Sequence, residues 1–584
     1  MTTFGADPLQ AELQRVLAAL AAGSVGTGEA PTESRHVDLK EEAGRRRNGT
    51  VLPSQPRGET AAKALAVEAA CMANTDGGGY LVVGAADDGT LIGTDLEAEW
   101  LRRRIYDLTQ RQLTVSAREH SIRGVRLLLL HCPEAVEPIR VDSKVRWRVD
   151  DSCVEVDAST WHERRLWRLG WDWSAQASTL TLHDVRASAL ERARDYLRAS
   201  GEDHALELAE LPAGDLLTRL NVLTGDGHLT NAGAIAFVGR SVPAIDYIRR
   251  EAAGGDSTNR IRTAARGLVE DLYDTEQAIR AVNPVRHLPV GLVSGQVRQL
   301  PDGAVRETIV NGCVHRDWSS TDPTLVEHEG TTLVVTSPGG FIGGVTPANI
   351  ITHPSQPRNR ALSELFASLR VAEREGIGVD RMVREMIRVG HAPPVIEEVA
   401  GPRVRTALVG DIVDEGWMRF LTTIEPAHHR NNLNSLLVLR HLVERWWVDE
   451  EVSAPVLQRS LLEARSTIGA LESATTGGAP LIDVVVGTPA DARPAWHLTP
   501  QALEALASAD AYTGQRRRAP SRSQIAADWA KNRGRVSTTE LGSIVGASPT
   551  NVGAVLKALE AEGSLAPSRP VRRGPGFYYT WVNS

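Results

Sequence analysis

The last sixty residues carry a spacing suited to reading nucleic acid. Ser537-Thr538-Thr539-Glu540 has the form of a capping box that opens a helix. Gly546-Ala547 then turns the chain, and Ser548 followed by Pro549 starts a second helix. Val552, Val555, Leu556 and Leu559 recur at helical spacing and must face inward. That leaves Thr550, Asn551, Ala554, Lys557 and Ala558 outward, where a helix-turn-helix presents side chains to the major groove. The stretch after Gly563 reads as a wing, with Arg569, Arg572 and Arg573 suited to phosphate or minor-groove contact. From Ala511 to Ser584 there are eleven Lys and Arg against four Asp and Glu, a local balance of +7 in a chain whose net charge is -8. A polyanionic partner is therefore expected at this end rather than over the whole surface.

Further upstream, Glu307, Asn311 and His315 stand at i, i+4 and i+8 and share one face of a predicted helix over 306–318. Two arginine triplets, Arg45-Arg46-Arg47 and Arg102-Arg103-Arg104, are candidate phosphate contacts. In ESRHVDLKEE (33–42) polar and apolar residues alternate. Val37 and Leu39 point to one side of a predicted strand, and His36, Asp38 and Lys40 to the other.

These residues need scaffolding, and the pattern supplies it. Residues 8–23 read as an amphipathic helix rather than a signal peptide, and a Gly-rich linker follows. A mixed α/β segment spans 30–160, with a helix, a Gly-rich turn at Gly77-Gly78-Gly79, an apolar strand and a hairpin turn at Asp87-Asp88-Gly89. A Trp-rich bridge and a mainly helical connector occupy 161–300, in which LTNAGAIAFVG (229–239) reads as a short apolar strand. Helix and strand alternate over 301–412. Residues 425–510 are helix-rich with the look of a winged helix, 511–522 form a basic linker, and 523–584 form a winged helix-turn-helix. No apolar run reaches the roughly eighteen residues of a membrane span. The four cysteines, Cys71, Cys132, Cys153 and Cys313, are scattered without a CxxC pair, so neither a disulfide framework nor a zinc knuckle is expected, and a reducing cytoplasm fits.

Glu33, Asp38, Lys40, the stretch Ala73-Asn74-Thr75-Asp76-Gly77-Gly78, Gly84 and the strand pair in KVRWRVDDSCVEV (144–156) together resemble the Schlafen AlbA domain. The resemblance implies nucleic-acid binding. Some Schlafen relatives are metal-dependent nucleases with three carboxylates, whose positions carry over as Glu33, Asp38 and Asp76, with Asp38 where the family usually has Glu. On that reading the carboxylates hold Mg²⁺ or Mn²⁺, and Lys40 stabilises developing charge. The alternative is binding without cleavage.

RETIVNGCVHRDW (306–318), TSPGGFIGGVTP (336–347), PRNRAL (357–362) and EREGIGVDRM (373–382) resemble the RecG-like C-terminal module, a relative of the GHKL ATPase fold shared by gyrase, Hsp90 and histidine kinases. The resemblance implies ATP with Mg²⁺ as ligand. Glu307 would activate water, Asn311 would hold the metal, and Gly339, Gly340, Gly376 and Gly378 would lie against the nucleotide. Ser337-Pro338 departs from the family's adenine-reading Asp, which points to a degenerate site. No GxxxxGK[ST] P-loop occurs, so a helicase motor is not expected.

The expectation is thus a multi-domain α+β protein: a Schlafen AlbA-type α/β domain, a helical connector, a GHKL-like α/β sandwich and C-terminal winged helices. Its expected work is that of a cytoplasmic DNA-binding transcriptional regulator, with DNA favoured over RNA, no membrane partner and self-assembly into a homo-oligomer. A metal-dependent Schlafen-type nuclease, acting on DNA or RNA in phage defence, is the alternative.

Overall fold

The computed structural model describes residues 8–23, 34–47, 50–149, 152–158, 161–162, 171–290, 293–372, 377–399, 401–513, 519–571 and 576–582. The chain divides into two units, Met1–Trp171 and Asp172–Ser584.

In the first unit, helix α1 (Pro8–Ala22) precedes strand β1 (Val37–Lys40). Helix α2 (Glu59–Asn74), strand β2 (Gly79–Val83), helix α3 (Ala98–Leu108) and strands β3 (Ser116–Ile122) and β4 (Val125–Cys132) follow. The sheet runs β1-β2-β4-β3, with β1 and β2 parallel and the rest antiparallel. A separate antiparallel sheet contains β5 (Arg140–Val141), β6 (Lys144–Val149) and β7 (Ser152–Val156). The alanine-rich α2 buries Ala62, Leu65, Ala66, Ala69 and Ala73, the face that its periodicity predicts. Small side chains let it lie close to the sheet. Gly78 has φ +67°, and a Cβ there would stand 2.3 Å from the Cys132 carbonyl oxygen, so the turn after α2 requires glycine.

On one face of the sheet, α1 packs Leu13, Val16, Leu17 and Leu20 against Val37, Leu39 and Val82. Asp38 lies on the other face and is also fully buried. The polar side that alternation gives β1 is therefore closed to water at Asp38. Covering both faces of an edge strand overrides what alternation implies. The structure also corrects the cysteine reading: Cys71 on α2 is bonded to Cys153 on β7, across a separation of 82 residues. No short spacing announces such a pair, because it depends on β7 lying beside α2.

The first α-helix of the second unit is α4 (Ala187–Ser200). The segment read as an apolar strand is helix α5 (Asn231–Phe237), capped by the Thr230 side chain accepting from Gly233 N at 3.2 Å. Ala232 to Phe237 are all buried, so no polar face reports the helical period. Strands β8 (Ile245–Arg250) and β9 (Ser257–Ile261), helices α6 (Leu268–Val282) and α7 (Asp302–Val314), and strands β10 (Thr324–Glu329) and β11 (Thr332–Pro338) come next. They are followed by α8 (Arg360–Ser368), α9 (Gly378–Arg388), β12 (Val395–Val399) and β13 (Arg403–Val409). The six strands form one sheet in the order β9-β8-β10-β11-β13-β12, and only β8 and β10 pair in parallel. A single apolar core runs from Ala189 to Leu408, so α4, α5 and α6 of the connector share it with this sheet.

Two modules of like topology follow α10 (Glu415–Thr422). The first has α11 (Leu433–Arg445), α12 (Glu450–Leu457), α13 (Leu461–Glu472) and the hairpin β14 (Ile482–Val484) and β15 (Trp496–Leu498). Helix α14 (Pro500–Thr513) closes it. The second has α15 (Arg522–Arg533), β16 (Arg535–Val536), α16 (Thr538–Val545), α17 (Pro549–Ala561), β17 (Leu565–Pro567) and β18 (Tyr579–Trp581), with sheet order β16-β18-β17. Trp447 and Trp529 meet edge-to-face at 4.8 Å, and Trp447 Nε1 donates to Asp528 at 3.0 Å. Arg533 pairs with buried Asp449. The two modules are joined through a shared apolar core.

Candidate nucleic-acid interface and ligand cleft

In the first unit the carboxylates stand among cations. Lys40 Nζ lies 3.0 Å from Asp38 Oδ1. Arg148 Nη1 lies 2.8 Å from Asp38 Oδ2, at ion-pair distance without hydrogen-bond alignment. Arg148 is itself buried, donating from Nη2 to the Ser34 carbonyl at 3.2 Å and from its backbone N–H to Thr75 Oγ1 at 2.8 Å. Asp76, in the Gly-rich turn, pairs with Arg35 at 3.0 Å. Burial raises the pKa of Glu68 on α2, with Lys40 and Arg148 opposing and Asp38 adding to the rise. The charged residues missed in the sequence are Arg35, Glu68, Arg148 and Arg146, whose charge also opposes the rise at Glu68. A signal for the last two was there, since alternation in KVRWRV puts Lys144, Arg146 and Arg148 on one face.

Glu33 lies outside the described residues. Among those that are described, no group of three or more His, Cys, Asp or Glu is placed to share a metal ion. Arg45 is tied to its own fold, donating to Leu52 O at 2.9 Å, Gly93 O at 2.6 Å and Glu42 at 3.1 Å. Arg46 and Arg47 form a short antiparallel bridge with Thr50 and Val51, and their side chains lie outside the described set. Arg102 and Arg103 share Glu99, and Arg104 pairs with Glu59. Such exposed pairs are weak, and their cations remain open to exchange onto a phosphate.

In the second unit, α7 carries Glu307 and Asn311 on one face, and His315 stands at its C-cap. Asn311 and His315 line a cleft of about 140 Å³, floored by Val335, Ser337, Val404 and Thr406 of the sheet. The far wall is a strap between Gly340 and Gln356. Glu307 is buried beside the cleft, where burial raises its pKa and the neighbouring Asn311 side chain opposes the rise. Gly378 opens α9 against it; a Cβ at Gly378 would fall 1.7 Å from Glu307 Oε1. Burial pushes the His315 imidazole down to about 4, so the ring is neutral. Arg358 donates to the His315 carbonyl at 3.1 Å and to the Gly340 carbonyl at 2.8 Å, which pins the Gly339-Gly340 turn. Glu398 Oε2 accepts from Phe341 N–H at 2.9 Å. Gly376 lies outside the described residues.

At the C-terminus, Ser537 and Glu540 form a reciprocal capping box, and Ser548 caps α17 with Pro549 in its first turn. Val552, Leu556 and Leu559 are buried, while Thr550, Asn551, Ala554, Lys557 and Ala558 are exposed. Arg569 follows β17; Arg572 and Arg573 lie outside the described residues. The corresponding helix of the first module, α13, exposes Leu461 and Leu462 at its start.

Residues 33–157 match the family described as Schlafen, AlbA_2. Residues 331–405 match the family described as recG C-terminal, named for an ATP-dependent DNA helicase. The crystal structure of the DIP2311 protein from Corynebacterium diphtheriae is similar over 98% of this chain and 99% of that chain, at 31% identity and a TM-score of 0.59. No curated protein matches the chain. No described helix is long and apolar enough to cross a membrane.

Proposed function

From the premise that the chain belongs to the family of Schlafen AlbA_2 proteins carrying a RecG-C-terminal-type module, we propose that it is a DNA-binding transcriptional regulator. In this reading it binds nucleic acid without cutting it. The observation that carries the reading is the state of Asp38. Both of its oxygens face cations, Lys40 at 3.0 Å and Arg148 at 2.8 Å, and the carboxylate is fully buried. A nuclease carboxylate must offer oxygens to Mg²⁺ or Mn²⁺. Here the partly exposed Arg35 and Lys40, with Arg146 nearby, instead offer cations suited to a phosphate backbone, while Arg148 stays buried on Asp38.

The second module of the C-terminal pair supports DNA in particular. Its helix–strand–helix–helix–hairpin order is that of a winged helix, and α17 leaves Thr550, Asn551 and Lys557 open at the end that would enter a major groove. The ATPase-like module serves as scaffold and ligand sensor between the two binding regions. Homo-oligomers would present paired reading helices to paired half-sites.

Gel-shift and cleavage assays with Mg²⁺ or Mn²⁺ test the reading, with single-stranded DNA, duplex DNA and structured RNA as probes. Wild type is expected to shift duplex DNA without cutting, and Asn551→Ala with Lys557→Ala to weaken the shift. Cleavage that disappears in Asp76→Ala, a half-buried residue whose loss spares the core, would establish the nuclease instead.

A further inference from the structure

The disulfide between Cys71 on α2 and Cys153 on β7 is not what holds α2 to the small sheet. That grip runs through Asn74, at the end of α2. Its Nδ2 donates to the Ile139 and Arg146 carbonyls at 2.8 and 3.0 Å, and its Oδ1 accepts from Ile139 N–H at 2.8 Å. Its carbonyl accepts from Trp161 Nε1 at 2.8 Å. Val145 and Trp147 of β6 lie in the same apolar core as α2. Strand β7 is the outer strand of this sheet, hydrogen-bonded to β6, and its residues are half-buried or exposed. Opening the disulfide would therefore loosen β7 from α2 and leave the rest of the unit in place.

The two sulfurs differ in access. Cys71 is fully buried, whereas Cys153 is half-buried on the outer strand, so an incoming thiolate reaches Cys153 first. A carboxyl group stands beside the bond: Glu68 Oε2 lies 3.2 Å from Cys153 Sγ. Glu68 is also one helical turn before Cys71 on α2, on the same side of the helix. The charges that act on Glu68 are Lys40 and Asp38 from β1 and Arg146 and Arg148 from β6, and Asp38 is itself held by Lys40 and Arg148. Three cations against one paired anion make surroundings that favour a thiolate. Burial raises the pKa of Glu68, so it keeps a proton to give where an exposed carboxyl has lost it.

We propose that Cys71–Cys153 is a thiol–disulfide exchange site for low-molecular-weight thiols, with Cys153 the sulfur attacked and Glu68 the proton donor. The incoming thiolate bonds to Cys153 Sγ and the Cys71–Cys153 bond breaks. The electron pair leaves on Cys71 Sγ, which takes the Glu68 proton. The products are a mixed disulfide on Cys153 and a thiol at Cys71. A second thiol then attacks the small-molecule sulfur of the mixed disulfide, and Cys153 leaves as a thiolate and is protonated. In sum two small thiols become one disulfide, and the protein gains two electrons and two protons. Cys132 and Cys313 are internal controls, since both are buried and burial pushes their thiols up. The full-length oxidised protein would be incubated with reduced glutathione without denaturant, quenched with an alkylating reagent and peptide-mapped by mass spectrometry. Glutathione is expected on Cys153 and the alkyl group on Cys71, with Cys132 and Cys313 unmodified. Hydrogen exchange should quicken in β7 and stay unchanged in α2. Glu68→Gln is expected to slow the opening severalfold without changing how far it proceeds in a fixed glutathione buffer, a split between rate and equilibrium that a structural role would not give. A bond that opens only once urea unfolds the unit, or an adduct on Cys71 instead of Cys153, would overturn the exchange site. Opening of Glu68→Gln at the wild-type rate would overturn the proton donor.

Discussion

The Asp38–Arg148 pair has a definite energetic consequence. Both side chains are out of water, at 0% and 1% exposure. Removing one partner strands the other's charge, which typically costs about 3–5 kcal/mol. Arg148→Met should therefore destabilise the first unit by about that amount in urea unfolding, whereas Asp38→Asn together with Arg148→Met should recover most of the loss. Losses in the two single variants that simply add in the double variant would show that the pair is not coupled. Asp271 on α6 makes a separate prediction. It is buried, both carboxylate oxygens lack hydrogen bonds, and Arg266 approaches only to 3.9 Å. Burial raises its pKa to about 7, Arg266 opposing and Glu270 and Asp274 adding to the rise. A carboxyl raised in the folded state binds its proton more tightly than in the unfolded chain. Stability should thus fall as pH rises from about 4 towards about 7. Asp271→Asn should flatten that fall and stabilise the protein at alkaline pH by about 2 kcal/mol. Chemical denaturation across this pH range checks both. At this scale the sequence shows Asp38, Lys40 and Asp76 but hides Arg35 and Arg148, because a charge partner is set by which strands become neighbours.

Elements were most legible where caps and period agree. Ser537, Glu540, Ser548 and Pro549 mark the starts of α16 and α17, and both helices begin there. Ser537→Ala should cost about 1 kcal/mol, readable as a lower urea midpoint for the C-terminal modules. Legibility failed at α5, where burial on every side erased the period, and at β1, where Asp38 is buried on the face that alternation leaves bare. The strap around the cleft shows a link no local pattern contains. Gln458, in the turn between α12 and α13, accepts from Ile351 N at 2.9 Å and donates to the Pro347 carbonyl at 2.9 Å, while its own carbonyl accepts from Thr352 at 3.0 Å. The strap that lines the cleft is thus bonded directly to the first C-terminal module. Gln458→Ala should release the side-chain half of this link. Hydrogen exchange over 345–356 is expected to quicken while exchange in α11 stays unchanged; unaltered strap protection would mean that apolar packing alone holds it.

Over the whole molecule, a net charge of -8 must be reconciled with a polyanionic partner. Localisation resolves it, since the stretch from Ala511 to Ser584 alone holds eleven cations against four anions. Long-range repulsion from the rest of the chain is screened within roughly 8 Å at physiological salt. Contacts made by α17 and the segment after β17 should therefore dominate, and they divide into two kinds. Lys557, a flexible point charge, suits phosphate; Asn551, with a donor and an acceptor in fixed relation, suits a base edge. Binding measured by fluorescence anisotropy across a salt series separates them. Lys557→Ala should weaken all duplex sequences alike and reduce the slope of log affinity against log salt by about one. Asn551→Ala should leave that slope unchanged and relax the preference among sequences. The tandem arrangement sharpens the expectation: because the Trp447–Trp529 contact and the Arg533–Asp449 pair join the two modules, neither variant should alter the melting of the first. If both variants reduced the slope equally with no change in sequence preference, α17 would be gripping backbone only, and the specificity of a regulator would have to come from the wing.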